Sequence, residues 1–136
     1  MRYLAIDLGG KRTGLAVGDD ITGIVTPLEV VTAAKPEHRM QVLERIIDRE
    51  GPDAIVVGLP LNMDNSEGPA AAATRSFGDT LRVRTGFDVL YHDERLTSHA
   101  ADEAMTRSGL THGGKKARRD AVAAAVILKD FLAMKP

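Results

Sequence analysis

The sequence predicts an α/β domain: one mixed five-stranded sheet, three antiparallel strands then two parallel, with helices on both faces. Three observations predict it. Three short strand-like runs follow one another near the N-terminus with brief turns between them, the pattern of an antiparallel meander. Asp53–Leu59 is a continuous apolar run, as a parallel strand covered on both faces requires. The remaining segments alternate between helical and strand spacing. The 136 residues suit one domain spanning 1–136. No internal repeat, low-complexity tract or linker divides them.

The first strand is Tyr3–Leu8, and a Gly9-Gly10-Lys11 turn leads into the second, Thr13–Gly18. Asp19–Gly23 reads as a turn. Ile24–Val31 forms a third strand, and its Pro27 is tolerated at a sheet edge or a bulge. Pro36 suits a first helical turn. Met40, Leu43, Ile46 and Ile47 then mark one apolar face, and Gly51-Pro52 stops the helix. After the Asp53–Leu59 strand, Pro60–Gly68 is a polar loop. A second helix runs from Pro69 to about Arg84, with Ala70, Ala73, Phe77 and Leu81 on one side, and Gly86 ends it. Asp88–His92 is the fifth strand. Ser98–Ser108 is a third helix, capped by Ser98 and closed by Gly109. Thr111–Lys116 reads as a loop carrying glycine and lysine, and the last helix covers Arg118 to Met134.

Composition narrows the function classes. No apolar run approaches the ~18 residues of a membrane span, and the N-terminus lacks a signal pattern. A cytoplasmic protein is expected. The absence of cysteine excludes disulfides and thiolate-held metals. A net charge of −1 argues against a protein coated in positive charge, but leaves local basic patches open. His92, His99 and His112 show no two-histidine metal spacing.

Three acids stand where surface charges do not belong. Asp7 shares a strand face with Tyr3 and Ala5. A carboxylate at a strand end can simply cap the following turn. Asp120 heads the buried stripe of the last helix: at 100° per residue, Ala124, Ile127 and Phe131 fall within about 40° of it, with Lys129 opposite. The helix macrodipole favours an acid near the helix start, but not on its apolar side. Glu94 follows the fifth strand, where ligands bind in open α/β sheets. Alternation turns only one of Asp93 and Glu94 inward, and leaves open which. Two carboxylates ~4 Å apart repel by about 4 kcal/mol at an effective dielectric near 20. Three converging acids therefore call for protons or cations. With oxygen ligands only, the suited ions are Mg²⁺ or Mn²⁺. A pair of such ions is the arrangement that cleaves phosphodiesters.

Four blocks occur in order: Asp7-x-Gly9-x-x-Arg12-x-Gly14-x-Ala16; Gly58-Leu59-Pro60-x-x-Met63-Asp64; Asp93-Glu94-Arg95-Leu96-Thr97-Ser98; and Lys115-Lys116 ahead of Asp120-Ala121-x-Ala123-Ala124-x-x-Ile127-Leu128. Together they span nearly the whole chain and resemble the YqgF (RuvX-like) family. The resemblance implies an RNase H-like fold, kinship with RuvC Holliday junction resolvases, and a role in maturing the 5′ end of pre-16S rRNA. It implies that Asp7, Glu94 and Asp120 are the catalytic, metal-holding acids, and so favours Glu94 over Asp93. Where such proteins usually carry Met-Asp-Gly-Ser, this chain has Met63-Asp64-Asn65-Ser66, and asparagine tolerates the left-handed backbone. Arg119 stands where an apolar residue is usual.

Nucleic-acid contacts are expected from Arg12, Arg95, Lys115 and Lys116. Lys11 reads as a solvated turn residue, whereas the basic run before Asp120 flanks the proposed site. Such contacts would weaken steeply with salt. The leading expectation is a Mg²⁺-dependent nuclease acting on precursor rRNA. The alternatives are a resolvase acting on branched DNA and a non-catalytic nucleic-acid-binding regulator. The partners expected are nucleic acid and no membrane, with a ribosomal partner allowed for and the chain a monomer or weak homodimer. Asp7-Leu8-Gly9-Gly10-Lys11 is also similar to the phosphate loop of actin- and Hsp70-like ATPases. Those bind nucleotide between two such domains, and one domain does not supply both.

Overall fold

A computed structural model describes residues 1–94 and 112–134, with side chains described for 1–94 and 121–134. The strands are β1 (Arg2–Leu8), β2 (Arg12–Asp19), β3 (Val25–Thr32), β4 (Ala54–Leu59) and β5 (Asp88–Asp93). The helices are α1 (Pro36–Glu50), α2 (Pro69–Thr85) and α3 (His112–Met134). The expected helix over Ser98–Ser108 lies outside the described residues.

The five strands form one sheet in the order β3, β2, β1, β4, β5. β1 to β3 pair antiparallel, while β4 and β5 run parallel to β1. β1 is therefore central, with Asp7 at its end. β3 is an edge strand, as expected from Pro27. Pro27 lies opposite Ala16, beside a register shift between Gly14 and Ala16. Every residue of β4 is buried, which is why its sequence is an unbroken apolar run.

Strand alternation divides the core in two. Even-numbered residues of β1 and odd-numbered residues of β2 and β4 meet α1 and α2: Leu4, Ile6, Leu15 and Val57 pack with Leu43, Ile47, Phe77 and Leu81. The opposite face carries Tyr3, Ala5, Ala16, Ala54 and Val56 and is covered by Ala124, Ile127 and Leu128 of α3. Four of those residues are alanines, so the helix backbone approaches the sheet closely.

Two expectations are corrected. The buried stripe of α2 is Ala71, Thr74, Phe77, Gly78 and Leu81, and Ala70 and Ala73 are exposed. Thr74 can be buried because its hydroxyl donates to the Ala70 carbonyl at 3.0 Å. Gly78 belongs to the stripe because the Tyr91 ring occupies the space a side chain would need. The last helix begins at His112, so Lys115 and Lys116 are helical and do not form a loop. Gly113-Gly114 reads as a breaker, but Lys115 to Arg119 are all strong helix formers, and their propensity carries the helix back through the glycines.

Candidate active site

The carboxyl ends of β1, β4 and β5 lie side by side, and the acids gather there. Pairing places Ile6 beside Val57 and Gly58 beside His92. Asp7 continues the Tyr3–Ala5 face, on the α3 side of the sheet. His92 points to the same side, since its ring meets Phe131 of α3 edge-on at 5.9 Å. Its Nε2 lies 2.6 Å from Asp130. Two residues on, Glu94 shares that phase and Asp93 does not. The choice the sequence left open thus falls on Glu94.

Gly58 makes the arrangement possible. A Cβ built there would stand 2.5 Å from Glu94 Oε2 and 2.6 Å from Ile127 Cδ1. The Glu94 carboxyl and Ile127 therefore lie directly over the bare backbone of β4. The Glu94 N–H donates to the Leu59 carbonyl at 3.3 Å, which holds the chain as it leaves β5. Gly9 plays a similar part in the turn after β1, where a Cβ would run into the Arg12 carbonyl oxygen.

Asp7 and Glu94 share a side-chain hydrogen bond, and the Glu94 carboxyl is pushed up to about 7. Desolvation is the largest cause, followed by the Asp7 charge, the hydrogen bond and the Asp93 charge. Protonated Glu94 thus donates to Asp7. The folded protein keeps this proton to about pH 7, whereas the unfolded chain releases it near 4.5. More protons are bound folded than unfolded across that window. Stability of the metal-free protein is therefore expected to fall as pH rises from about 4.5 to about 7. The loss is on the order of 2 kcal/mol once solvent screening of this half-buried group is allowed for. Thermal melting in chelator at pH 5 and pH 8 measures it, and Glu94→Gln should flatten the slope.

The other expected residues fall as follows. Asp120 lies in α3, and its side chain is outside the described ones. Phe131 meets Tyr3, at the start of β1, with ring centroids 5.3 Å apart, while Ile127 reaches Gly58 near the end of β4. Earlier residues of α3 therefore lie toward the acidic end of the sheet, and the backbone position of Asp120 continues the Ala124–Ile127 stripe in that direction. Arg12 opens β2, half-buried beside the glycine turn. Lys115 and Lys116 occupy the start of α3, with side chains outside the described set, and Arg95 lies outside the described residues. Among the described residues, no group of three His, Asp or Glu could hold a metal ion. The Asp7–Glu94 pair offers only oxygen, the donor that hard divalent cations take. In the sequence Gly58 stands out only as part of the Gly58-Leu59-Pro60 block, although a lone glycine in an apolar strand signals a close approach.

A mixed sheet of this order, with acids at the carboxyl ends of its strands, is the RNase H-like fold. T. thermophilus RuvC, solved in complex with a Holliday junction substrate, matches with a TM-score of 0.60, covering 98% of this chain and 96% of that one at 19% identity. At that identity the likeness shows the fold alone. A family model described as "RuvX: Holliday junction resolvase" matches residues 1–134. Agathobacter rectalis has a relative 41% identical over 135 residues, covering 97% of this chain and 94% of that protein. A relative from Escherichia coli (strain SE11) is 38% identical over 128 residues, covering 94% and 93%. Both are named "Putative pre-16S rRNA nuclease". The chain belongs to the RuvX family.

Proposed function

We propose that this RuvX-family chain is a divalent-metal-dependent nuclease that hydrolyses phosphodiester bonds in precursor 16S rRNA. The observation that carries the reading is the Asp7–Glu94 pair, held over Gly58 and sharing one proton. Two acids that resist joint ionisation below about pH 7 are suited to a cation that replaces the proton. Asp7 and Glu94 would hold Mg²⁺ or Mn²⁺, with Asp120 completing the set from α3. A metal bound there would supply a hydroxide near neutral pH and stabilise the departing oxygen. Glu94 must release its proton first. Arg12, Arg95, Lys115 and Lys116 would hold substrate phosphates. The relatives named for pre-16S rRNA support the choice of substrate and a cytoplasmic setting. The proposal leaves room for a ribosomal partner and takes the chain as a monomer or weak homodimer. No helix among the described residues is long and apolar enough to cross a membrane.

Proton displacement makes metal binding pH-dependent. Mg²⁺ affinity measured by calorimetry should rise up to about tenfold per pH unit below pH 7 and level off above it. An affinity flat from pH 5 to pH 8 would count against a site at Glu94.

A branched-DNA resolvase is the second reading, favoured by the family description and the RuvC-like fold. Purified protein incubated with a pre-16S rRNA fragment and with a four-way DNA junction, each with Mg²⁺ or chelator, separates the two. Cleavage of the RNA in Mg²⁺ alone is expected. Cleavage of the junction alone would replace the rRNA reading, and cleavage of neither would leave a non-catalytic binding factor.

A further inference from the structure

The turn that carries the chain away from Asp7 is gripped from the far side of the sheet. Arg39 of α1 donates from Nη1 to the Gly9 carbonyl at 3.2 Å and to the Gly10 carbonyl at 3.4 Å. Its guanidinium carbon sits 5.5 Å from the centre of the Phe77 ring, so α2 backs it. The Nε is buried with no hydrogen-bond partner among the described residues. That is a costly way to spend an arginine whose only task is packing. A third tie comes from just past β3, where the Ala33 N–H donates to the Lys11 carbonyl at 3.0 Å.

The two captured carbonyls fix more than the turn's position. In a trans peptide the N–H points opposite to the preceding C=O, and no peptide in the described chain is cis. With the Gly9 and Gly10 carbonyls turned to Arg39, the Gly10 and Lys11 N–H groups point away from α1. On that geometry we infer that they face the side of the sheet on which Asp7 meets Glu94. Gly10 and Lys11 are both exposed, so a phosphate oxygen can reach this edge of the cleft.

We propose that Arg39 is a positioning residue: from the opposite face of the sheet it orients the Gly9-Gly10-Lys11 peptide groups so that Asp7 and the Gly10 and Lys11 amides present a fixed edge to a substrate phosphate. The inference rests on the nuclease reading for its catalytic consequence, though not for its geometry. Arg39 touches neither substrate nor reacting atoms. It acts through the turn, and misplacing a catalytic group by about 1 Å can cost on the order of 100-fold in rate.

The competing explanation is that Arg39 merely glues α1 to Phe77. Arg39→Ala and Arg39→Lys separate the two, because an ammonium can donate to the same carbonyls but cannot stack on Phe77 as a guanidinium does. Two readouts are taken on each variant: kcat and KM on the rRNA fragment in Mg²⁺, and amide hydrogen exchange at Gly10 and Lys11. Arg39→Ala is expected to lower kcat about tenfold with KM within about twofold, and to speed exchange at both amides. Arg39→Lys should restore kcat to within about threefold and slow the exchange again. Unchanged kcat and unchanged exchange in Arg39→Ala overturn the proposal. So do equal losses in both variants that track a fall in melting temperature. If the wild-type protein cleaves nothing, the nuclease reading has failed, and the exchange measurement alone decides whether Arg39 orients the turn.

Discussion

Asp7→Asn is expected to lower kcat for Mg²⁺-dependent cleavage by about a thousandfold, roughly 4 kcal/mol of transition-state stabilisation. Asn is nearly isosteric, and the strand around it is fixed. Tyr3, Leu4, Ala5 and Ile6 are each at most 1% exposed. The fold should persist. What disappears is the proposed charged oxygen ligand and the negative charge that helps to raise Glu94. Loss of activity should therefore come with a gain, or at least no loss, in melting temperature in chelator at pH 7. Glu94 should also titrate nearer to an ordinary carboxyl. An inactive variant that was merely damaged would melt lower. Cleavage within about threefold of wild type would remove Asp7 from the chemistry.

Gly58→Ala carries the second largest effect. The added methyl meets Glu94 Oε2 at 2.5 Å and Ile127 Cδ1 at 2.6 Å, both below any normal contact. Both contacts must be relieved: the Glu94 carboxyl shifts from its place over β4, and Ile127 repacks or α3 lifts. Overpacking of this kind costs about 1–3 kcal/mol. If Glu94 holds the metal as proposed, displacing its carboxylate should lower kcat by on the order of 100-fold. Trimming the neighbour separates the two effects. Ile127→Val in the Gly58→Ala background should recover part of the stability and little of the activity. A Gly58→Ala enzyme with full activity would show that the Glu94 position is not critical.

Much of this architecture is legible in the residues, for physical reasons. β4 is readable because both its faces are buried, which forces six apolar or glycine positions in a row. β3 is readable as an edge because Pro27 can donate no ladder hydrogen bond. The convergence of Asp7 and Glu94 is less so, since strand phase at Glu94 depends on which face of β5 meets Phe131, a contact made 39 residues later. The α2 stripe was misplaced by a few tens of degrees because alanines at 70–73 carry almost no directional signal, while a self-satisfied Thr74 is buried. Arg39 is invisible to patterning. It borders the apolar face of α1, and nothing in its spacing shows that it reaches across the sheet edge to two carbonyls.

The division of the core into two unequal covers bears on how the chain comes into being. Residues 1–94 contain the whole sheet together with α1 and α2, so one face can be sealed as soon as they have emerged during synthesis. The other face, with Tyr3, Ala5, Ala16 and Val56, waits for Ala124, Ile127 and Leu128. Until α3 docks, that surface lacks the cover that α3 gives it among the described residues, and an uncovered apolar face is adhesive. Cover for the apolar face and the approach of α3 to the acidic end of the sheet would thus arrive together, in one docking event.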